Sequence, residues 1–279
     1  MKKFKKFCVI LLSIFTALFS AACAAAPIQE EDAGWVFDSI ARYNQDRVKQ
    51  ISRTVITETA DGTYEKTQLL ISDTNNEILY MDSMEKGPGS YHLRTRDYLM
   101  FKDGKGYDIY KYDMQEDFYK TEIQTDFINN AFDSMYITLS DKAEAKILGS
   151  DMVDGTEAFK VLVTDSDFHR IQDTENFGTL YAQAAVSDAY QKELQTAFND
   201  YMNMTKKEYI FWFSKENTMP IKMEYDNTLE TVLTYYALAA ANPNACFEKK
   251  VPSKEIVTAC IKSGSGCDKV ELPSDFQVL

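Results

Sequence analysis

The sequence has few of the residues on which most catalytic and metal sites depend. Its 279 residues include only two histidines, His92 and His169, which are far apart in the chain. It has no C-x-x-C pair, no G-x-S-x-G elbow, no H-E-x-x-H motif and no glycine-rich phosphate loop. We therefore predict a protein that is not an enzyme and that has no cofactor and no metal site. A pair of carboxylates, as in glycoside hydrolases, is the catalytic alternative that the 43 acidic residues leave open.

Positive charge is also scarce. The chain has 30 lysines and arginines against 43 aspartates and glutamates, a formal net charge of −13. Residues 1–22 hold four of the lysines and no acid, so the chain that follows them is more acidic still. Because negative charge repels phosphate groups, we predict no nucleic-acid partner and no electrostatic docking on anionic lipid.

A single long apolar run stands near the start of the sequence. Four lysines precede it, Ser13 and Thr16 are its only polar residues between Val9 and Phe19, and small residues follow it. The run is too short for a transmembrane helix, and its flanks are typical of a secretory signal. We predict that residues 1–22 are a signal peptide.

Cys23 follows this signal directly, in the segment FSAAC. The segment resembles the lipobox of bacterial lipoproteins, in which the cysteine receives a diacylglyceryl group and becomes the new N-terminus. That family usually has leucine at the position of Ser20. The resemblance implies lipid attachment at Cys23, a lipid-anchored tether over residues 23–32 and an extracytoplasmic location at the cell membrane. Ordinary secretion, with cleavage at an A-x-A-like site, is the alternative.

Three cysteines remain beyond the tether, namely Cys246, Cys260 and Cys267. An exported protein meets an oxidising environment, so we predict one disulfide among them and one free thiol. Pairing of Cys260 with Cys267 closes the shortest loop. Pairing of Cys246 with Cys267 instead clamps a cysteine-containing insertion to the last strand, and the sequence does not separate these two pairings.

Strands and tight turns dominate the first half of the chain. Asp61-Gly62, the DGKG segment at 103–106 and the VDG segment at 153–155 are hairpin signals. Repeated strands without helices between them are typical of an antiparallel meander. The predicted strands cover residues 48–59, 63–72, 77–84, 91–95, 98–102 and 107–112, with a hairpin over 144–165.

Helical spacing predicts helices at 31–43 and within 173–204, and a short helix is predicted at 125–134 with Thr125 or Asp126 as its cap. In the helix within 173–204, Tyr190, Leu194 and Tyr201 fall on one apolar face. Further strands are expected at 230–236 and 269–272. Between them we predict a cysteine-containing insertion at about 242–267, with a small helix capped by Ser253. Together, residues 33–279 are predicted to form a single domain.

The segment YIFWFSKENTMPIKMEYD, residues 209–226, predicts a hairpin with one aromatic face. Alternation places Trp212 on the other face. The aromatic face is expected to look toward the helical stripe, with a ligand cavity or a filled core between them. The predicted ligand-binding residues are Tyr190, Leu194, Tyr201, Tyr209, Phe211, Phe213, Ile221, Met223 and Tyr225.

Two hairpins carry a resemblance to a known family. They are G-x-x-x-V-D-G-x-x-A-F-K-V, from Gly149, and W-F-S-K-x-N-x-M-P-I-K-M-E, from Trp212. With the lipoprotein signal and the order of elements, they resemble the LolA-like superfamily. That family includes the periplasmic lipoprotein carrier, mycobacterial lipid-binding lipoproteins and the N-terminal domain of RseB. The resemblance implies an α+β fold: a curved antiparallel sheet, an open half-barrel, with helices on its concave side over an apolar cavity.

Two functions are compatible with the predicted fold. In the first, a membrane-anchored extracytoplasmic lipoprotein binds a lipid or another apolar ligand in the half-barrel cavity. In the second, the same fold is a non-enzymatic sensor or scaffold that binds another cell-envelope protein and has no ligand in the cavity. Copurification of a lipid would discriminate the first from the second.

Overall fold

The computed structural model describes residues 33–89, 92–112, 115–168, 190–241 and 250–278. The described residues contain four α-helices, a short 3-10 helix and twelve β-strands. The helices are α1 (Trp35–Gln45), α2 (Thr125–Asp133), α3 (Gln191–Met202) and α4 (Thr228–Ala241), and the 3-10 helix is Gly264–Gly266. The strands are β1 (Val48–Thr59), β2 (Gly62–Asp73), β3 (Ile78–Lys86), β4 (His92–Lys102), β5 (Lys105–Tyr112), β6 (Tyr119–Ile123), β7 (Ala143–Val153), β8 (Thr156–Asp165), β9 (Lys207–Ser214), β10 (Pro220–Asp226), β11 (Pro252–Ser263) and β12 (Gln277–Val278).

All twelve strands form one curved sheet in the order β12-β6-β5-β4-β3-β2-β1-β11-β10-β9-β8-β7. Neighbouring strands are antiparallel except β12 and β6, which pair in parallel. The sheet is open, with β12 and β7 as its edges among the described residues. The predicted fold class, an α+β protein built on a curved antiparallel sheet, is confirmed.

Aspartate–glycine pairs make two of the predicted hairpin turns. Asp103 and Gly104 have φ angles of 55° and 76°, and Asp154 and Gly155 have φ angles of 48° and 81°. Positive φ at both central residues gives a turn whose twist matches that of the paired strands. The meander from β1 to β5 follows the predicted strands closely, but the strands predicted at 91–95 and 98–102 are one continuous strand, β4.

The main hydrophobic core lies between the centre of the sheet and α2. Ile128 of α2 packs with Ile51, Leu79 and Leu99, which project from β1, β3 and β4 on one face. Gly106 of β5 makes this approach possible, because a Cβ there would lie 2.8 Å from the Ile128 Cδ1 atom. We call this side of the sheet the helix-covered face.

α1 packs on the same face. The Trp35 ring lies 5.2 Å from that of Phe213 and 5.5 Å from that of Phe159, measured between centroids. At the other end of the helix, the buried Tyr43 hydroxyl donates to the Met135 carbonyl at 3.0 Å. Burial raises the pKa of Tyr43, so this phenol remains a neutral donor.

The prediction of a strand at 230–236 is wrong, because these residues belong to helix α4. Its β-branched and aromatic residues favour a strand locally. The segment is nevertheless helical because its face at Ala237 and Ala240 packs against Leu194 of α3. Glu230 in the first turn also suits the positive end of the helix dipole.

The segment predicted as an insertion contributes a central strand. β11 lies between β1 and β10, and its alternating residues Val257, Ala259 and Ile261 are buried. The predicted small helix capped by Ser253 is therefore wrong, as is the strand predicted at 269–272. β11 forms because two neighbouring strands satisfy its backbone groups on both sides.

The long helix predicted within 173–204 is helical from Gln191 to Met202 in its described part. Tyr190 precedes it with a φ angle of 63°, which is not helical. The helix therefore begins at Gln191, and residues 169–189 lie outside the described residues. No helix among the described residues is long and apolar enough to cross a membrane.

Both described cysteines are free thiols, so Cys260 and Cys267, one of the two pairings left open by the sequence, form no disulfide. Cys260 lies in the middle of β11, opposite Ser52. The Cys267 sulfur instead lies 3.7 Å from the Val48 carbonyl. Burial raises the pKa of both thiols. Cys246 lies outside the described residues, as do Cys23 and the predicted signal and tether.

Candidate ligand-binding site

The hairpin of β9 and β10 forms an aromatic wall on the helix-covered face. Met223 pairs with Phe211 and Tyr225 pairs with Tyr209, so the four side chains share a face. Ring centroids are 5.5 Å apart between Tyr209 and Tyr225 and 5.7 Å apart between Phe211 and Phe213. Phe211 and Phe213 are fully buried, whereas the two tyrosines are half-buried. The two phenylalanines therefore belong to the core.

Trp212 lies on the opposite face of the sheet. Its indole Nε1 donates to the Asp151 carboxylate at 3.0 Å. The Lys222 and Lys160 ammonium groups lie 4.2 Å and 5.2 Å from the centroid of the ring. Two lysine side chains thus cover the ring on this face, with cation–π attraction.

Ile221 lies in a break of the hairpin register. The pairing shifts between Pro220 and Lys222, which leaves Ile221 without a paired residue in β9. Alternation of side chains assumes a regular ladder, and a bulge interrupts it. Ile221 therefore does not extend the row of Met223 and Tyr225 as a regular strand would.

The predicted stripe on α3 packs against α4. Leu194 is fully buried in a cluster with Ala237 and Ala240. The Tyr190 ring lies 6.5 Å from that of Tyr236, and 39% of Tyr190 is exposed. Tyr201 is buried, with its ring 6.2 Å from that of Phe168. α3 was predicted to face the hairpin of β9 and β10, with a ligand or a filled core between them. In the structure its apolar stripe faces α4 instead.

A cavity of about 280 Å³ remains on the helix-covered face, between β2, β1, β11 and β10. Of the predicted ligand-binding residues, Tyr225 is the one among its lining residues. The other lining side chains are mostly polar or charged, which sequence reasoning did not anticipate. They are Arg53, Val55, Thr57, Tyr64, Lys66, Gln68, Glu85, Asn227, Glu255 and Val257.

Arg53 occupies the middle of this cavity wall. Its Nε and Nη2 atoms donate to the Gln68 side-chain oxygen at 3.0 Å and 2.6 Å. It also hydrogen-bonds the Tyr225 phenol. Burial raises the pKa of Tyr225, and the Arg53 charge opposes that rise. The guanidinium is held in place by partners on β2 and β10, so it presents a fixed positive charge to the cavity.

Glu255 joins the cavity wall to the start of α4. It is 8% exposed and accepts hydrogen bonds from Thr57 at 2.8 Å, from Asn227 at 2.9 Å and from Thr231. Its own backbone N–H donates to the Thr228 hydroxyl at 2.8 Å. These bonds satisfy a buried carboxylate and fix the position at which α4 begins.

Lys66 and Glu85 complete the charged lining from directly opposite positions on β2 and β3. The cavity therefore has two cations, Arg53 and Lys66, and two carboxylates, Glu85 and Glu255. This balanced set suits a polar or zwitterionic group better than hydrocarbon, because burying an isolated charge against an apolar ligand is costly. The sequence contains a signal for this polar cavity. Ile51, Arg53, Val55 and Thr57 lie on one side of β1, and Arg53 is the charged residue among them.

Two carboxylates lie further along the same face, toward the edge of the sheet. Asp97 on β4 and Asp108 on β5 are diagonal neighbours in the ladder. Burial raises the pKa of Asp97 to about 6 and that of Asp108 to about 7, and the charge of Asp97 contributes to the rise at Asp108. Near neutral pH, ionising both is unfavourable.

We expect these two carboxyls to make stability fall as the pH rises. Their raised pKa values mean that the folded chain binds protons more tightly than the unfolded chain. The stabilisation is complete below about pH 4 and is lost as the pH passes about 6 to 7. Asp108→Asn should therefore stabilise the protein at pH 8 by about 1–2 kcal/mol, after allowance for partial solvent screening, and have little effect at pH 4.

Urea unfolding of the two proteins at both pH values measures this difference. Asp97→Asn provides the internal control, since removing its charge should lower the pKa of Asp108 in carboxyl-detected NMR titrations. An equal stability difference at pH 4 and pH 8 would contradict the expectation.

Similarity to known proteins is found only among solved structures. No family model matches the chain, and no curated protein matches it in sequence. Similar solved structures include the lipoprotein LppX from Mycobacterium tuberculosis, with 6% identity and a TM-score of 0.39 over 83% of this chain and 95% of that one. LprF from Mycobacterium bovis has 11% identity and a TM-score of 0.42, over 86% and 94%.

A LolA superfamily protein from Nitrosomonas europaea is also similar, with 10% identity and a TM-score of 0.22 over 83% of this chain and 91% of that one. At such identities and TM-scores no residue role and no function is carried over from these proteins. The similar structures thus include lipoproteins and a LolA superfamily protein, as the resemblance in the sequence predicts.

Proposed function

We propose that this chain is a membrane-anchored extracytoplasmic lipoprotein that binds a lipid on the helix-covered face of its sheet. The anchor is the lipid attached to Cys23, and residues 33–279 form one binding domain. The protein catalyses no reaction on its ligand. Its partners are the membrane, through the anchor, and the lipid.

The observation that carries this proposal is the cavity of about 280 Å³ on the helix-covered face. A space of this size and charge suits a polar lipid head, with Arg53 and Lys66 near its acidic part and Glu255 near any ammonium group. Val55, Val257 and Tyr64 supply apolar surface beside these charges. The sequence predicted an apolar pocket. Because the lining is both polar and apolar, the expected ligand is an amphiphile.

Anchoring is tested by Cys23→Ser. We expect the wild-type protein to fractionate with membranes, because two acyl chains bury enough methylene groups at about 0.8 kcal/mol each to hold a soluble body. The variant should be found in the soluble fraction, or at another location. Ala24→Ser, beside the attachment site, is the matched control and should fractionate like the wild type. Membrane association of Cys23→Ser equal to that of the control would contradict the proposed anchor.

Ligand binding is tested by filling the cavity. Val55 is half-buried and lines it, whereas its neighbour Ile56 is half-buried on the opposite face. Val55→Trp should lower the amount of copurifying lipid, measured by native mass spectrometry and solvent extraction, by about tenfold. Ile56→Trp adds the same bulk on the other face and should leave it unchanged. Absence of lipid from the wild-type protein would instead favour a sensor or scaffold that binds another envelope protein.

A further inference from the structure

A second and larger cavity, of about 590 Å³, lies on the opposite face of the sheet. It stretches over β11, β1, β2, β3 and β4 and has the size of a small-molecule site. Its lining side chains on this face are Gln50, Ser52, Thr54, Thr67, Leu69, Asp82, Met84, Arg94, Cys260 and Asp268. Only Leu69 and Met84 among them are large and apolar, so this cavity is unlike a hydrocarbon site.

An arginine clamp stands at one end of the cavity. Arg94 donates to the Asp82 carboxylate through Nε at 3.1 Å and Nη2 at 2.7 Å, and Arg96 lies 3.7 Å from the same group. The Tyr80 hydroxyl also lies 3.4 Å from Asp82. Because these charged groups hold one another in place, they offer oriented donors and acceptors at small cost in side-chain entropy.

Hydroxyl groups line the middle of the cavity. Ser52 and Thr54 alternate along β1, and Thr67 lies opposite Thr54 on β2. Among the described residues, the hydroxyls of Ser52 and Thr54 make no hydrogen bond, so both can donate to and accept from a ligand. Such groups recognise other hydroxyls well, since each can donate and accept at once.

The other wall comes from the C-terminal part of the chain. The Gln50 amide donates to Asp268 at 3.0 Å and accepts from the Asp268 backbone N–H at 2.7 Å. Beyond Asp268 the chain continues to β12, which pairs with β6 at the edge of the sheet. This two-way bond holds the segment against β1 and closes the cavity on that side.

Charge and ring chemistry indicate the class of ligand. Of the charged side chains that line the cavity on this face, Arg94 is positive and Asp82 and Asp268 are negative, so the cavity has no surplus of positive charge for a phosphate. The Tyr80 and Tyr98 rings lie 4.8 Å apart on β3 and β4, on the face of Asp82 but outside the lining of the cavity. They offer an apolar surface to a sugar ring that extends past Asp82. We propose that this cavity is a second binding site and that it takes a neutral saccharide.

The test uses the full exported protein and soluble neutral oligosaccharides, namely maltotriose, cellotriose and chitotriose, with isothermal titration calorimetry. At least one of them should bind, with backbone NMR shifts at Ser52, Leu69 and Asp82. Ser52→Leu should weaken that binding by about tenfold, because it fills the cavity and removes a hydroxyl. Thr164→Leu, on the same face of β8 and away from the cavity, is the matched control and should bind normally.

The cavity-filling variant on the helix-covered face separates this site from the proposed lipid site. Val55→Trp should leave saccharide binding unchanged, whether or not it lowers the amount of bound lipid. Ser52 is exposed, so the variant should fold, which its unfolding transition checks. The proposal is overturned if none of the three sugars binds at about 10 mM, or if Ser52→Leu and Thr164→Leu bind equally well.

Discussion

Replacing Phe211 with alanine should lower the free energy of unfolding by about 3–5 kcal/mol. The side chain is fully buried, and its ring packs 5.7 Å from that of Phe213 and 6.1 Å from that of Tyr209. Truncation removes apolar area that had left water and leaves a void that rigid neighbours fill poorly. Because Phe211 does not line the cavity of about 280 Å³, the folded variant should keep its lipid.

Urea unfolding gives the stability change, and lipid content of the folded variant gives the second readout. Ile210→Ala is the matched control, since Ile210 is the half-buried neighbour on the opposite face. Ile210→Ala should lower the free energy of unfolding clearly less than Phe211→Ala does. Similar losses for the two variants would mean that the aromatic wall is not part of a packed core, and loss of lipid from a stable Phe211→Ala protein would extend the binding site to the wall.

Glu255→Ala should lower the free energy of unfolding by about 3 kcal/mol. The change removes the acceptor shared by Thr57, Asn227 and Thr231 and leaves their donors without it in a buried place. Hydrogen bonds to a charged group contribute about 1.5–3 kcal/mol each, but hydroxyls that can rotate toward water recover part of the loss. The start of α4 should loosen first, because these bonds join it to β11.

Hydrogen exchange of the α4 amides, together with urea unfolding, measures this effect. Lys254→Ala alters the adjacent exposed position and should change stability by no more than about 0.5 kcal/mol. Unchanged exchange in α4 after Glu255→Ala would show that the network does not hold the helix, whatever the overall loss of stability.

The strand half of the fold was predictable because its signals are local. β1 has the bounds predicted from its β-branched residues, and the turns at Asp103-Gly104 and Asp154-Gly155 follow from the positive φ that these residues tolerate. The helix predicted at 125–134 is found at Thr125–Asp133, although its N-cap is Gln124 and not Thr125 or Asp126. Each of these features depends on residues within a few positions of one another.

β11 and α4 show where local signals were insufficient. Residues 231–236 of α4 favour a strand by propensity, and the helix is stable because Ala237 and Ala240 let α3 approach closely. β11 is a strand because β1 and β10 flank it, although both are distant in sequence. Neither partner can be recognised from the segment itself.

Local patterns in the sequence were enough to predict the meander, its turns and the alternation that sends Phe211 and Trp212 to different faces. Which space stays open, and which side chains line it, became known only from the packing of distant segments. The predicted stripe on α3 packs on α4, while Arg53, Gln68, Tyr225 and Glu255 come together from four strands to line a polar cavity. The reason is physical: alternation states which side of a strand a residue faces, whereas a cavity depends on which distant side chains are adjacent there and on how much volume they leave unfilled.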